Sequence, residues 1–291
     1  MKYDYLKVCA ASPKLAVADC IYNNEQILDC IKASEKAGAS ITVFPELCIT
    51  SYTCADLFFQ ATLLKEAEKA VVQLLNATQN IEQIIVVGAP VMYLGSLYNT
   101  AIVLLKGKIL GIVPKCYLPN YNEFYEKRWF EAGQNLKSTT ITYAGQTVPF
   151  SSYLLFRDSN NPYLTIGIEI CEDLWVTLPP STLHALKGAT VLLNLSASNE
   201  TVGKVNYRRQ LLADQSAKTM SAYIYASAGI YESTTDVVFS GHNLIYENGY
   251  KLEESDLFSQ DSVLTYGIID LERLNKERLK QNHSYPVHIL D

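Results

Sequence analysis

Glu46, Lys115 and Cys171 are the residues in this sequence whose types could together carry out a hydrolysis. A thiol attacks an amide carbonyl only as the thiolate, or with a base removing its proton. Glu46 can be that base, because a confined carboxyl can share a proton with sulfur and pass it to the leaving amine. The tetrahedral intermediate needs fixed donors for its oxyanion, and Lys115 with the backbone N–H of Glu172 can supply them. The chemistry would be attack on a side-chain amide, loss of ammonia, an acyl-thioester and its hydrolysis by water. Each residue also has a plainer reading. A cysteine after an apolar strand is usually a buried structural thiol, a glutamate there a cap or loop residue, and a lysine there a surface charge.

The elements around these residues strengthen the chemical reading. The runs at 5–10, 40–44, 84–90, 98–105, 108–113, 164–170, 189–195, 222–228, 237–246 and 262–269 read as strands. The pair at 98–105 and 108–113 forms a hairpin turning at Lys106-Gly107. Helices are expected at 24–37, closed by Gly38, at 62–77, where Leu63, Ala67, Ala70, Val71 and Leu74 recur at helical spacing, and at 204–220. The aromatic and charged stretch 117–137 has no clear period and reads as a long ordered loop. Strands alternating with helices predict a layered α/β fold in a single domain. In such sheets functional groups gather beyond the carboxyl ends of strands. Glu46, Lys115, Cys171 and Ser198 each follow a predicted strand.

Composition narrows the function classes. The net charge is −6, from 30 acidic and 24 basic side chains, and no basic run offers a nucleic-acid footprint. No stretch approaches the ~20 apolar residues that cross a bilayer, and the polar start Met1-Lys2-Tyr3-Asp4-Tyr5 lacks a signal-peptide core. The seven cysteines are odd in number, mostly within apolar runs and without a C-x-x-C pair; they read as reduced thiols of a cytoplasmic protein, with no metal cage. The four histidines, His184, His242, His283 and His288, have no convincing catalytic context, and the last two read as terminal surface residues. No G-x-S-x-G elbow, P-loop or G-x-G-x-x-G occurs.

Three segments together resemble the nitrilase (carbon–nitrogen hydrolase) superfamily: Phe44-Pro45-Glu46-Leu47, Val113-Pro114-Lys115-Cys116-Tyr117-Leu118-Pro119 and Gly167-Ile168-Glu169-Ile170-Cys171-Glu172-Asp173-Leu174-Trp175. The flanks 46–58, 117–130 and 194–209 are similar to the N-terminal glutaminase domains of glutamine-dependent NAD synthetases. The resemblance implies an α-β-β-α sandwich over residues 1–291, pairing into homo-oligomers, with Glu46 as base, Lys115 as oxyanion stabiliser and Cys171 as nucleophile. It implies L-glutamine as substrate, bound by Tyr121, Ser198 and Lys204, with Tyr52, Phe124, Glu126, Glu172 and Trp175 in the pocket wall. Glu126 or Glu172 would meet the substrate ammonium, and Lys204 and Ser198 its carboxylate. No cofactor is implied for this segment. ATP and deamido-NAD would bind a C-terminal synthetase domain, which the resemblance places after residue 291 and whose S-G-G-x-D-S loop this sequence lacks. The segment therefore reads as an excised domain, with a free-standing homologue as the alternative. Two rival readings are an amidase for another small ω-amide and an inactive docking module.

Overall fold

The computed structural model of the protein describes residues 4–281. His283 and His288 lie outside the described residues. The strands are β1 (Tyr5–Ser12), β2 (Ile41–Val43), β3 (Ile84–Tyr93), β4 (Ser96–Leu105), β5 (Lys108–Pro114), β6 (Thr139–Tyr143), β7 (Gln146–Phe150), β8 (Leu155–Arg157), β9 (Thr165–Ile170), β10 (Val191–Ser196), β11 (Ala222–Ser227), β12 (Leu244–Glu247), β13 (Tyr250–Glu254) and β14 (Val263–Asp270). The helices are α1 (Cys20–Lys36), α2 (Ala61–Ala77), α3 (Pro180–Leu186), α4 (Lys204–Thr219) and α5 (Leu271–Gln281).

Strand alternation builds the layers. In β1, Leu6, Val8 and Ala10 face one side and Cys9 and Ala11 the other, and both sides are apolar because both are covered. The first set joins Ile166, Ile168, Val191, Leu193 and Ile224 in a core between two sheets. The second joins Ile27, Ile31, Ala67 and Leu74 of α1 and α2. One sheet has the order β14-β1-β2-β3-β4-β5-β7-β6 and the other β13-β12-β11-β10-β9-β8. Leu192 and Tyr223 on the outer face of the second sheet pack with Leu212 of α4. The result is helix, sheet, sheet, helix, the sandwich implied by the sequence. Strands β1, β2 and β3 run parallel in one sheet, and β9, β10 and β11 in the other.

Local signals explain several boundaries. Helix α1 begins at Cys20, earlier than its apolar face suggests, because the Asp19 carboxylate accepts from Tyr22 N–H at 3.0 Å. It ends where Gly38, at φ +80°, donates to Glu35 O and Ala39 donates to Ser34 O, a Schellman closure. The strand expected at 237–246 forms only from Leu244. Its apolar start does not join a sheet. Phe239 is buried with Ala197 and Ala228, and Glu200 N–H pairs with Val238 O at 2.7 Å. Among the described residues no helix is long and apolar enough to cross a membrane.

Candidate active site

Glu46 leaves β2 through Pro45, and its turn passes directly over β3. A Cβ on Gly88 would lie 2.2 Å from Leu47 N, so only glycine permits this approach. Lys115 continues β5, with its N–H on Asn99 O at 2.8 Å. Cys171 ends β9 in a 3₁₀ turn at Cys171–Leu174 and adopts φ +46°, a left-handed geometry that costs energy for a residue with a Cβ. Its N–H is held by Asn194 Oδ1 at 3.3 Å.

Asp173 joins the two sheets at this point. Its carboxylate accepts from Ile170 N–H at 3.0 Å, beside the nucleophile, and from Cys116 and Tyr117 N–H at 3.3 and 2.8 Å, beside the lysine. Three donors on two carboxylate oxygens cannot be matched by an amide. Asp173→Asn is expected to lose about 1–3 kcal/mol of stability, measurable by urea denaturation. A loss near zero would show that Asp173 does not join the sheets.

The charged centre is buried. Glu46 and Lys115 are 0% exposed, Glu126 1% and Cys171 7%. Lys115 Nζ lies 2.6 Å from Glu46 Oε1 and 2.7 Å from Glu126 Oε1. Asn99 Nδ2 donates to Glu46 Oε1 at 2.6 Å and Ala197 N–H to Oε2 at 3.0 Å, while the Tyr52 hydroxyl donates to Glu126 Oε1 at 2.8 Å. Every group bonded to Glu46 is a donor, so both of its oxygens act as acceptors. Burial works against the Lys115 ammonium, but Glu126 and Glu46 outweigh it and hold its pKa well above the usual lysine value. One ammonium faces two carboxylates, and burial pushes Glu126 up to about 7. Burial and then Glu46 push the Cys171 thiol far up, with Lys115 opposing. The thiol is thus held toward its protonated form beside a carboxyl that meets donors.

Cys171 opens into a cleft of about 460 Å³. Tyr121, Phe124, Glu172, Trp175, Ser198 and Lys204 line it with the thiol. The Tyr121 hydroxyl donates to both Glu172 oxygens at 2.9 Å. Lys204 opens α4 and lies 5.1 Å from the Trp175 ring centre and 6.0 Å from that of Phe124. Burial lowers its pKa and raises that of Glu172. Lys204 donates to Asn199, which donates to Glu123, so a carboxylate entering the cleft would compete for this ammonium.

Two expected wall residues lie elsewhere. Glu126 does not line the cleft and is bonded behind it to Lys115 and Tyr52, so it is not placed to meet a substrate ammonium. Tyr52 packs its edge on Phe124 at 6.4 Å and reaches the cleft only through that ring. Glu126 is drawn inward because Trp129 and Phe130, on the same turn, pack on Phe58 at 5.8 and 4.9 Å. Sequence reasoning missed Asn99, Asp173 and Asn194. Asp173 had a signal, an acid two residues past the candidate nucleophile; Asn99 and Asn194 sit inside apolar strands and are found only through strand pairing. Among the described residues no group of three or more His, Cys, Asp or Glu side chains could hold a metal ion.

Comparison with known proteins agrees with this architecture. The chain is 40% identical over 279 residues to the glutamine-dependent NAD(+) synthetase of Mycobacterium tuberculosis (strain ATCC 25618 / H37Rv), covering 96% of this chain and 41% of that protein. The crystal structure of a glutamine-dependent NAD(+) synthetase from Cytophaga hutchinsonii superposes with a TM-score of 0.82 at 29% identity, over 91% of this chain and 43% of that one. An amidase from Nesterenkonia sp. shares the fold over 97% of each chain, with a TM-score of 0.72 at 16% identity. The chain spans about two fifths of the length of the synthetases it matches. Residues 8–275, nearly all of the folded sandwich, match the sequence family described as carbon-nitrogen hydrolase, and the chain belongs to that family of hydrolases.

Proposed function

We propose that this chain hydrolyses the side-chain amide of L-glutamine, releasing ammonia, with Cys171 as nucleophile. The observation that carries the reading is one cleft with the Cys171 thiol in its lining, a buried carboxylate and ammonium acting on that thiol, and an ammonium, a hydroxyl and a carboxylate along its wall. These wall groups suit an amino acid. Lys204 and Ser198 meet the α-carboxylate, Glu172 the α-ammonium, and Phe124, Trp175 and Tyr121 the methylene stem.

Glu46 takes the thiol proton as sulfur bonds to the carboxamide carbon. The oxyanion meets the Lys115 ammonium and the Glu172 N–H, which opens the 3₁₀ turn without a partner within it. Glu46 then gives the proton to the amide nitrogen, the C–N bond breaks, and ammonia leaves a thioester. Water attacks the thioester while Glu46 takes its proton; the C–S bond breaks, and that proton restores the thiol as glutamate departs. Ammonia would serve a synthetase region of the kind that completes the longer relatives, where ATP and deamido-NAD would bind. No step here calls on a cofactor.

The test is ammonia release from L-glutamine. Wild type is expected to release it, and Cys171→Ala to do so at least about a thousandfold more slowly. Equal release by both would remove Cys171 from the mechanism. Strong preference for another ω-amide in a substrate panel would replace glutamine with that amide.

A further inference from the structure

Next to the nucleophile's strand end lies a further buried carboxylate, which takes no part in the steps of hydrolysis. Glu169 is 1% exposed. Among the described residues it forms no ion pair within 4 Å; it accepts instead from Ser181 N–H at 2.7 Å and from the Tyr223 hydroxyl. The Tyr223 oxygen accepts from Asn194 Nδ2 at 3.1 Å. Asn194 Oδ1 accepts from Cys171 N–H at 3.3 Å and from Ser196 Oγ at 2.8 Å. Tyr223 and Asn194 are 0% exposed. Glu169 and Asn194 are register partners on β9 and β10, and Tyr223 lies on the neighbouring β11. Asn194 alternates with Leu193 and Leu195, which face the inter-sheet core, so this chain of bonds runs on the face under α3 and α4, and none of Glu169, Tyr223 and Asn194 lines the cleft.

Each bond in the chain sets the direction of the next. Burial raises the Glu169 pKa, and the Tyr223 and Ser181 donors oppose it; with Ser181 N–H on one oxygen and the Tyr223 hydroxyl on the other, Glu169 is the acceptor of both and Tyr223 gives its proton to that bond. The phenol oxygen can then only accept from Asn194, which turns the amide –NH₂ toward Tyr223. That fixes Asn194 Oδ1 on Cys171 N–H. The opposite orientation would put two donors face to face at the backbone amide of Cys171, a left-handed residue.

We propose that Glu169, through Tyr223 and Asn194, is a positioning relay that fixes the hydrogen-bond direction at Cys171 N–H and so holds the nucleophile in its φ +46° geometry. None of the three touches substrate. The inference rests on the assignment of Cys171 as nucleophile.

The test pairs steady-state kinetics with alkylation by iodoacetamide, scored at Cys171 by peptide mass. Glu169→Gln keeps the shape but can donate to Tyr223 and reverse the chain; Tyr223→Phe removes one oxygen from an otherwise unchanged ring. Each is expected to lower kcat for glutamine on the order of tenfold to a hundredfold, and to slow alkylation, with KM nearly unchanged. The double variant should be no slower than the worse single one, because both break one chain. Wild-type kcat and alkylation rate in both single variants, even with a lower melting temperature, would overturn the relay and leave a structural network. Losses that multiply in the double variant would overturn it as well. Alkylation scores the relay independently of substrate: a wild type that alkylates at Cys171 without hydrolysing glutamine overturns the glutamine reading alone.

Discussion

Replacing Lys115 with methionine is expected to cost about 3–5 kcal/mol of stability near pH 8 and to abolish measurable ammonia release. The ammonium is fully buried and lies 2.6 and 2.7 Å from two carboxylates. Methionine fills similar volume but leaves Glu46 and Glu126 facing each other without a cation. Buried like charges respond by taking up a proton, which raises the folded-state pKa of Glu126 further from a position where it already stands at about 7. The sign of the pH dependence follows. An acid whose pKa is raised by folding contributes stability that is present below its unfolded value and lost as pH rises through its folded value. The deficit of the variant should therefore be small at pH 5 and full at pH 8, as read by urea denaturation at both values. Equal deficits would mean that the two carboxylates are not coupled through Lys115.

Glu46→Gln is expected to lower kcat by on the order of a hundredfold to ten-thousandfold while KM changes little. The side chain keeps its shape, and Glu46 is not among the residues that line the cleft with Glu172, Ser198 and Lys204. Its partners are Asn99 Nδ2, Lys115 Nζ and Ala197 N–H, all donors. A glutamine –NH₂ meets a donor in either orientation, so some stability is lost as well, about 1–3 kcal/mol. The kinetic loss should exceed what misfolding explains, because the high thiol pKa leaves almost no thiolate without the base. Kinetics with glutamine check this at a temperature where the variant is fully folded. A variant that keeps wild-type kcat would assign the base to another group.

Much of this site was legible in the sequence because strand ends are. Glu46, Lys115 and Cys171 each follow a short apolar run, and the fold brings those runs together across two sheets. The hairpin at Lys106-Gly107 was readable from its turn residues, both of which adopt positive φ. The neighbouring hairpin of β6 and β7 was not read, because its apolar residues are spaced out by threonine, glutamine and Pro149. Helices α3 and α5 carry too few apolar positions for a clear period; α3 has seven residues, and α5 buries Leu271 and Leu274 among charges. The role of Glu126 was out of reach for a different reason. Whether a glutamate in an aromatic loop faces solvent or core depends on which aromatic rings are buried, here Trp129 and Phe130 against Phe58, and that is decided by tertiary packing.

The central claim is that Cys171, in this cleft, attacks the side-chain amide of glutamine. Incubation with an electrophilic glutamine analogue, followed by intact and peptide mass measurement, tests it most directly. The account predicts one adduct per chain, on Cys171, slowed by excess L-glutamine and absent from Cys171→Ala. An adduct on another cysteine, or no adduct on a folded protein, would contradict it.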